Sequence, residues 1–176
     1  MTTFETSRLT LRPFAESDVD FVFDLYSRWD VMRYIGVVPR VMEDRSQAET
    51  RIAASKKLDQ HPVHGIWAVE SRDTGAPVGV LLLKPIPASE GEVDAGDIEI
   101  GWHFHPDAWG NGYATEAGVA ILKHAFASGL ERVVAVTNPE NSASRRVAER
   151  LGMTYLGNSA HYYNTTVALF EITRNP

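Results

Sequence analysis

The 176-residue sequence contains no cysteine. That absence removes disulfides, thiolate zinc sites and a cysteine nucleophile together, so any covalent thiol chemistry must come from a cofactor. Long apolar runs are missing as well. The longest, Val78 to Leu83, is interrupted by Gly79 and falls far short of the ~20 residues that a membrane-spanning helix needs. The opening stretch MTTFETSRLTLRPF has no basic segment followed by an apolar core and does not read as a secretory signal. The expectation is a soluble, cytoplasmic protein without a membrane partner. Basic charge is scarce: 17 Lys and Arg face 23 Asp and Glu, a net charge of -6. Nucleic-acid backbones are held by basic stripes, so nucleic acid is the weakest class of partner. An acidic surface is compatible with a cationic amine substrate, and equally with a charge that serves solubility alone. No repeat, low-complexity tract or long linker breaks the chain, and its length suits one domain over residues 1–176.

The hydrophobic pattern predicts alternating elements. Arg8 to Arg12 alternates Leu9 and Leu11 with polar neighbours, as a strand does, until Pro13. Ser17, with Asp20 three residues on, predicts the start of a helix whose stripe is Phe21, Val22, Leu25 and Trp29. Met32 to Gly36 reads as a helical turn or loop. Ser46 with Glu49 predicts a second helix to about Leu58, with Ala48, Ile52 and Leu58 inward. His64 to Val69 and Val78 to Lys84 form a hairpin around Asp73-Thr74-Gly75. After a loop over 85–96 carrying Glu90, Glu92 and Asp94 comes a strand, Asp97 to Phe104. Glu116 to Ala127 is the strongest helical pattern and stops at Gly129. Arg132 to Thr137 lacks alternation, which predicts a strand buried on both faces. A helix from Asn141 or Ser142 to Leu151 and a strand over Thr165 to Thr173 complete the chain. Strands and helices interleaved in this way predict a twisted central sheet with helices on both faces.

The stretch that carries chemistry runs from Asp97 to Ala117. A strand ends near Pro106, a loop with Gly110 and Gly112 follows, and a long helix begins at once. Glycines let backbone approach a ligand closely, and a helix start presents unpaired N–H groups and a positive dipole end. The dipole is worth about 0.3–1 kcal/mol where exposed, and directed N–H bonds to a pyrophosphate are the larger effect. No Gly-Lys-Ser/Thr follows, which excludes a Walker A loop. Thr115 stands where a dinucleotide fingerprint needs a small residue, and the strand–helix–strand context is absent. A short glycine motif on its own also suits an ordinary helix start.

The string as a whole resembles motif A of the GNAT acetyltransferases, Gln/Arg-x-x-Gly-x-Gly/Ala, with Gly112 and Ala114 in the last two places and Trp109 in the first. Trp109-Gly-x-Gly-Tyr-Ala-x-Glu-Ala117 is similar to the branch that includes the ribosomal-protein N-terminal acetyltransferases. Ser7-Arg-Leu-Thr-Leu-Arg-Pro13 resembles that branch's first strand, and Asn141-Ser-Ala-Ser144 through Glu149-Arg-Leu-Gly152 resembles its Asn-x-x-Ser…Glu-Lys-Leu-Gly motif. The resemblance implies an α/β (α+β) fold with a mixed, mostly antiparallel twisted sheet, helices on both faces, and two parallel strands that splay to admit acetyl-CoA. Those strands would be Asp97–Phe104 and Arg132–Thr137. Carried over by position, main chain around Phe104 pairs with the pantetheine arm. The N–H groups of Gly110, Asn111, Gly112, Tyr113, Ala114 and Thr115 cradle the pyrophosphate, Asn141 contacts pantetheine, and Ser144 lies near the thioester sulfur. Trp109 removes a basic side chain from this loop while leaving the main-chain cradle. Family members are often homodimers.

The implied reaction moves an acetyl group from acetyl-CoA to a primary amine by direct attack, with a protein N-terminus as the leading acceptor. A small amine (an antibiotic, polyamine or amino acid) is the alternative, and a non-catalytic acyl-CoA-binding module is a third. Glu99, in Ile98-Glu99-Ile100, is the first candidate base, acting directly or through water, because a carboxylate between apolar residues is desolvated. Strand alternation equally places it on a solvent face. Ser144 is the candidate to protonate or hydrogen-bond the leaving sulfur, with a helix first-turn serine as its other reading. His103 and His105 share a sheet face but lack a third metal ligand, so no metal is expected and cleft lining suits them better. Tyr113 packs its ring, and Tyr162 and Tyr163 are weaker candidates. Arg145 and Arg146 are within reach of CoA phosphates or form a solvated face. Trp29, Met32, Tyr34 and Ile35 either shape the acceptor site or pack in the core. The loop over 90–97 is the candidate for an acidic acceptor lining.

Overall fold

A computed structural model describes residues 2–174. Eight strands form one sheet: β1 (Phe4–Glu5), β2 (Leu9–Arg12), β3 (Gly65–Ser71), β4 (Pro77–Pro85), β5 (Ile98–Phe104), β6 (Arg132–Thr137), β7 (Thr154–Ser159) and β8 (Val167–Thr173), in the order β1-β2-β3-β4-β5-β6-β8-β7. Every neighbouring pair is antiparallel except β5 and β6. The helices are α1 (Val19–Ser27), α2 (Trp29–Met32), α3 (Arg45–Lys56), α4 (Tyr113–Ala127) and α5 (Ser142–Arg150).

Alternation along the strands separates two cores. Leu81, Leu83, Ile100 and Phe104 pack with Leu9, Leu11, Trp67 and Val69 against Ala117, Ile121 and Ala125 of α4. Ala68 and Val80, on the opposite face, meet Val22, Leu25 and Tyr26 of α1 and Ala48 and Ile52 of α3. The expected helices-on-both-faces architecture is therefore present. Of β6, Val133 and Ala135 join the first core and Val134 a third cluster with Ile86 and Tyr162, so both faces are covered as its unbroken apolar run predicts.

Several helix starts differ from the sequence reading. The first helical turn is a 3₁₀ segment at Glu16–Asp18, and Asp18 rather than Ser17 does the tying: its carboxylate accepts from the Ala15 N–H (2.8 Å) and from Arg12. Helix α3 is capped by Asp44, which accepts from the Ser46 N–H, while Gln47 reaches back to the Glu43 and Asp44 N–H groups. An acceptor two or three residues upstream outcompetes Ser46, which lies already inside the helix. Trp29 is 57% exposed, because α1 ends at Ser27 and the chain turns before the stripe reaches it. Helix α4 begins three residues before Glu116, directly at the glycine loop. The short strand β1 and strand β7 add edges that the pattern did not reveal.

Candidate active site

Strand β5 stays hydrogen-bonded to β4 along its length, and β6 stays bonded to β8. Between β5 and β6 only Glu99 and Val134 face each other as partners. Beyond that pair the strands part, and a cleft of about 820 Å³ opens where they separate. The His105 N–H donates to the Val78 carbonyl of β4 (3.0 Å). Main-chain groups alternate sides along a strand, so the N–H groups of Trp102 and Phe104 turn toward the gap. The Phe104 carbonyl is taken by the Trp109 indole N–H (2.8 Å), which pins the strand end to the loop that follows.

Because β5 and β6 are parallel, α4 and α5 both start at the wide end of the gap, with their N–H-rich ends beside it. Gly110 and Gly112 have φ of +78° and +77°, a region that costs other residues roughly 1–2 kcal/mol. Two left-handed residues in so short a loop turn successive N–H groups to one side, the geometry of an anion nest. The Arg8 guanidinium closes the loop from outside: Nη1 donates to the Asn111 carbonyl (2.9 Å), and the group lies 4.9 Å from the Tyr113 ring centroid. Arg8 is held by Glu116, which also accepts from Thr6 Oγ1 (2.6 Å), Ser7 Oγ (3.0 Å) and the Arg8 N–H (2.9 Å). Those hydrogen bonds outweigh burial and hold the Glu116 carboxyl at about 2, well below its usual range. A cation thus stands beside the loop although Trp109 carries no charge.

The polar atoms here suit a phosphate-bearing thioester. Thr115 Oγ1, in the first turn of α4, and Thr137 Oγ1, at the end of β6, are buried without partners and belong to cleft-lining residues. A buried hydroxyl left unsatisfied is destabilising by about 1–3 kcal/mol, so both would gain from a ligand. Asn141 caps α5 by accepting from the Ser144 N–H (3.1 Å). Ser144 Oγ accepts from the Trp102 indole (3.1 Å). An indole only donates, so the Ser144 hydroxyl hydrogen remains free for another acceptor. Of the residues proposed from sequence, Glu99, Phe104, Trp109, Gly110, Gly112, Tyr113, Ala114, Thr115, Asn141 and Ser144 all line the cleft. Asn111 does not: its side chain donates to the Ala108 and Trp109 carbonyls and braces the loop. Arg146 lines the cleft, whereas Arg145 stacks on Tyr155.

Glu99 is buried at the point where the strands part (5% exposed). Cross-strand pairing sets Lys84 beside it, with Nζ 2.7 Å from Oε1. The Tyr163 hydroxyl donates to the same oxygen, and Lys84 donates to Tyr163 (3.0 Å). Among the described residues the bonds to the Glu99 carboxylate fall on Oε1, and Glu99 lines the cleft. Burial, reinforced by the Glu99 charge and hydrogen bond, raises the Tyr163 hydroxyl far above its ordinary range, so it stays protonated. Tyr163 and Asn164 have φ of 60° and 54°, a conformation that costs non-glycine residues about 1–3 kcal/mol. Pairing of Ala88 with Tyr162, and the Ser89 N–H to His161 carbonyl bond (2.7 Å), hold this turn over Glu99.

His103 Nδ1 bonds the Tyr26 hydroxyl (2.9 Å). Burial, then the charges of Arg51 and Lys84, press its pKa down to about 3. A neutral imidazole of that weakness lines the cleft and is unsuited to be a base at neutral pH. His105 bonds Asp24 (3.0 Å) and caps the turn at Asp107, away from the gap. Tyr34 and Ile35 line the cleft, and Met32 packs on the second core. The acidic loop over 90–97 does not line it: Glu92 pairs with His161 and Asp97 with Arg132. Arg51, Lys84 and Trp102, which line the cleft, and Arg8 beside its loop were missed by sequence reasoning, and Tyr163, ranked there as a weak candidate, sits directly on Glu99. The Lys84–Glu99 register follows from the hairpin, but Tyr163 is brought in by a turn without a recognisable motif.

A family model described as acetyltransferase (GNAT) domain matches residues 8–154. YoaA of Bacillus subtilis, an uncharacterized N-acetyltransferase, is 31% identical over 149 residues, which cover 84% of this chain and 80% of YoaA. An acetyltransferase of the GNAT family from Bacillus anthracis superposes with a TM-score of 0.74 at 28% identity, covering 98% of each chain. RimL, the ribosomal L7/L12 α-N-protein acetyltransferase solved with coenzyme A, shares the fold at a TM-score of 0.78 and 18% identity, again over 98% of each chain. With a family model over most of its length, and a splayed parallel pair closed by a glycine loop, this chain belongs to the GNAT family of acetyl-CoA-dependent N-acetyltransferases.

Proposed function

We propose that the protein acetylates an α-amine, by direct attack on acetyl-CoA, with Glu99 as the proton acceptor and Ser144 at the leaving sulfur. The observation that carries this reading is Glu99 itself, a cleft-lining carboxylate held at Oε1 by Lys84 and Tyr163 where the two strands part. In the transfer the amine nitrogen bonds to the thioester carbonyl carbon, the C–S bond breaks, the amine gives up a proton and the departing thiolate takes one. The N–H groups of Trp102 and Phe104 lie on the gap side of β5 and suit the negative charge that grows on the carbonyl oxygen, an effect worth about 3–4 kcal/mol per donor. The free hydroxyl hydrogen of Ser144 suits the sulfur. The main chain over 110–115, with Thr115 and Thr137, would hold the phosphate and pantetheine parts.

An α-amine is favoured over a lysine side chain by arithmetic. With a pKa of roughly 7.7–8.0, an appreciable part of an α-amine is neutral near pH 7.5, whereas a lysine amine near 10.4 is about 0.1% neutral. A protein N-terminus offers such an amine, whereas the carboxylate of a free amino acid holds its amine in the charged form to higher pH. The test is thiol release from acetyl-CoA with an Ala-initiated peptide, beside a lysine peptide blocked at its N-terminus. The α-amine is expected to react faster. Glu99→Gln is expected to lower kcat about 10²-fold or more, most severely below the amine's own pKa. Wild-type turnover with an unchanged pH profile in that variant would remove Glu99 from the role.

A further inference from the structure

The wall of the cleft opposite α4 carries an arginine that no carboxylate among the described residues neutralises. Arg51 lies on α3, the helix that covers the sheet face bearing Lys84, Glu99 and His103, and it lines the cleft with them. Its guanidinium lies 4.0 Å from the centroid of the Tyr26 ring. Tyr26 is 1% exposed and bonded through its hydroxyl to His103, so the platform under Arg51 is rigid. Among the described residues no carboxylate pairs with Arg51, although nearby arginines do find partners: Arg28 with Asp24, and Arg45 with Asp20. Arg33, stacked on Tyr34, lines the same cleft, and the carboxylates among its described lining residues are Asp30 and the already paired Glu99. The charge of Arg51 is felt inside the cleft, since it helps burial to keep His103 neutral.

We infer that Arg51 is an anion-binding residue of the acceptor site, and that the amine acetylated here carries a carboxylate. The inference rests on the acetyltransferase reading above. A planar guanidinium matches a carboxylate with two parallel N–H···O bonds, and stacking on Tyr26 sets its plane in advance. A cationic wall also repels polyamines and strongly basic peptides, so it selects by exclusion as well as by attraction. The same chemistry has two sources: the carboxylate of a free amino acid, or an acidic side chain next to a peptide's N-terminal residue.

The experiment measures kcat/KM for thiol release from acetyl-CoA with matched pairs. One arm uses free L-amino acids against their C-terminal amides, with rates expressed per neutral amine because the free carboxylate raises the amine's pKa, and the other uses peptides beginning Ala-Asp against Ala-Asn. At least one arm is expected to favour the acid by about tenfold or more, and the arm that does so identifies the source. Arg51→Met is expected to bring that ratio close to one, mainly through KM, and Arg51→Lys to restore part of it. Equal rates for acid and neutral partners, turnover of neither, or an unchanged ratio in Arg51→Met would each overturn the carboxylate inference. Acetyl-CoA binding is measured calorimetrically on the same samples. Loss of that binding in the wild-type protein would instead overturn the acetyltransferase reading beneath it.

Discussion

Replacing Glu116 by glutamine tests how the N-terminal strands and the glycine loop are joined. The carboxylate accepts four hydrogen bonds from Thr6, Ser7 and Arg8 and pairs with the Arg8 guanidinium at 2.7 Å, with its side chain only 16% exposed. Its pKa falls from an ordinary 4.5 to about 2. Each unit corresponds to about 1.4 kcal/mol, which sets an upper limit near 3 kcal/mol. Solvent screening around the half-exposed Arg8 reduces the expectation to about 1–3 kcal/mol. The sign follows from linkage: the unfolded carboxyl takes up a proton first as pH falls, so the stabilisation is complete above about 4.5 and disappears as pH drops toward 2. Urea unfolding of the wild type and Glu116→Gln at pH 7 should therefore differ by about 1–3 kcal/mol, with Tm lower by about 2–4 °C for each kcal/mol. The difference should shrink on acidification and nearly vanish by about pH 2.5. A difference that stays constant with pH, or none at pH 7, would refute the electrostatic account. The variant also frees Arg8 from its clamp, so acetyl-CoA affinity should fall with stability.

Three further predictions concern the cleft and its supports. Gly112→Val forces a branched side chain into φ near +77° beside the Arg8 guanidinium and should raise the acetyl-CoA Kd at least about tenfold, as the loop leaves a conformation that costs roughly 1–2 kcal/mol. Calorimetric titration checks this, and unchanged affinity would take the loop out of the site. Ser144→Ala removes the free hydroxyl hydrogen beside the gap and should lower kcat about tenfold while changing KM for acetyl-CoA little; steady-state kinetics decides it, and a KM effect alone would reassign Ser144 to binding. At the contact of α4 with α5, a Cβ on Gly118 would lie 2.8 Å from Leu151 Cδ2. Gly118→Val should therefore destabilise the fold by about 1–3 kcal/mol, read by thermal unfolding, and an unchanged Tm would show that the helices separate freely.

Much of this protein was legible in one dimension because its information is local. Turn glycines, the helix pattern after them and the Asn141 cap act over a few residues, so the glycine loop, α4, α5 and the strands around them fall close to their predicted places. The family's splayed pair followed from motif order, and the gap between β5 and β6 has that form. Errors arose where competing local acceptors sat side by side, as Asp44 beside Ser46, and where a stripe outran its helix, as at Trp29.

The chemistry of the cleft walls depends on contacts between residues far apart in sequence. Glu99 is at once a tied carboxylate and a cleft group only because Lys84 arrives by strand register and Tyr163 by a turn 64 positions away. Arg8 supplies the charge that Trp109 lacks from 103 residues before Asn111, whose carbonyl it holds. Arg51 is an ordinary surface arginine in the sequence of α3, and becomes a cation on a cleft wall only when α3 packs across the sheet. Backbone conformation is set by short-range sterics and hydrogen bonding, which a sequence displays directly. The electrostatic environment of a side chain is a sum over everything folded around it, and that sum exists only in three dimensions.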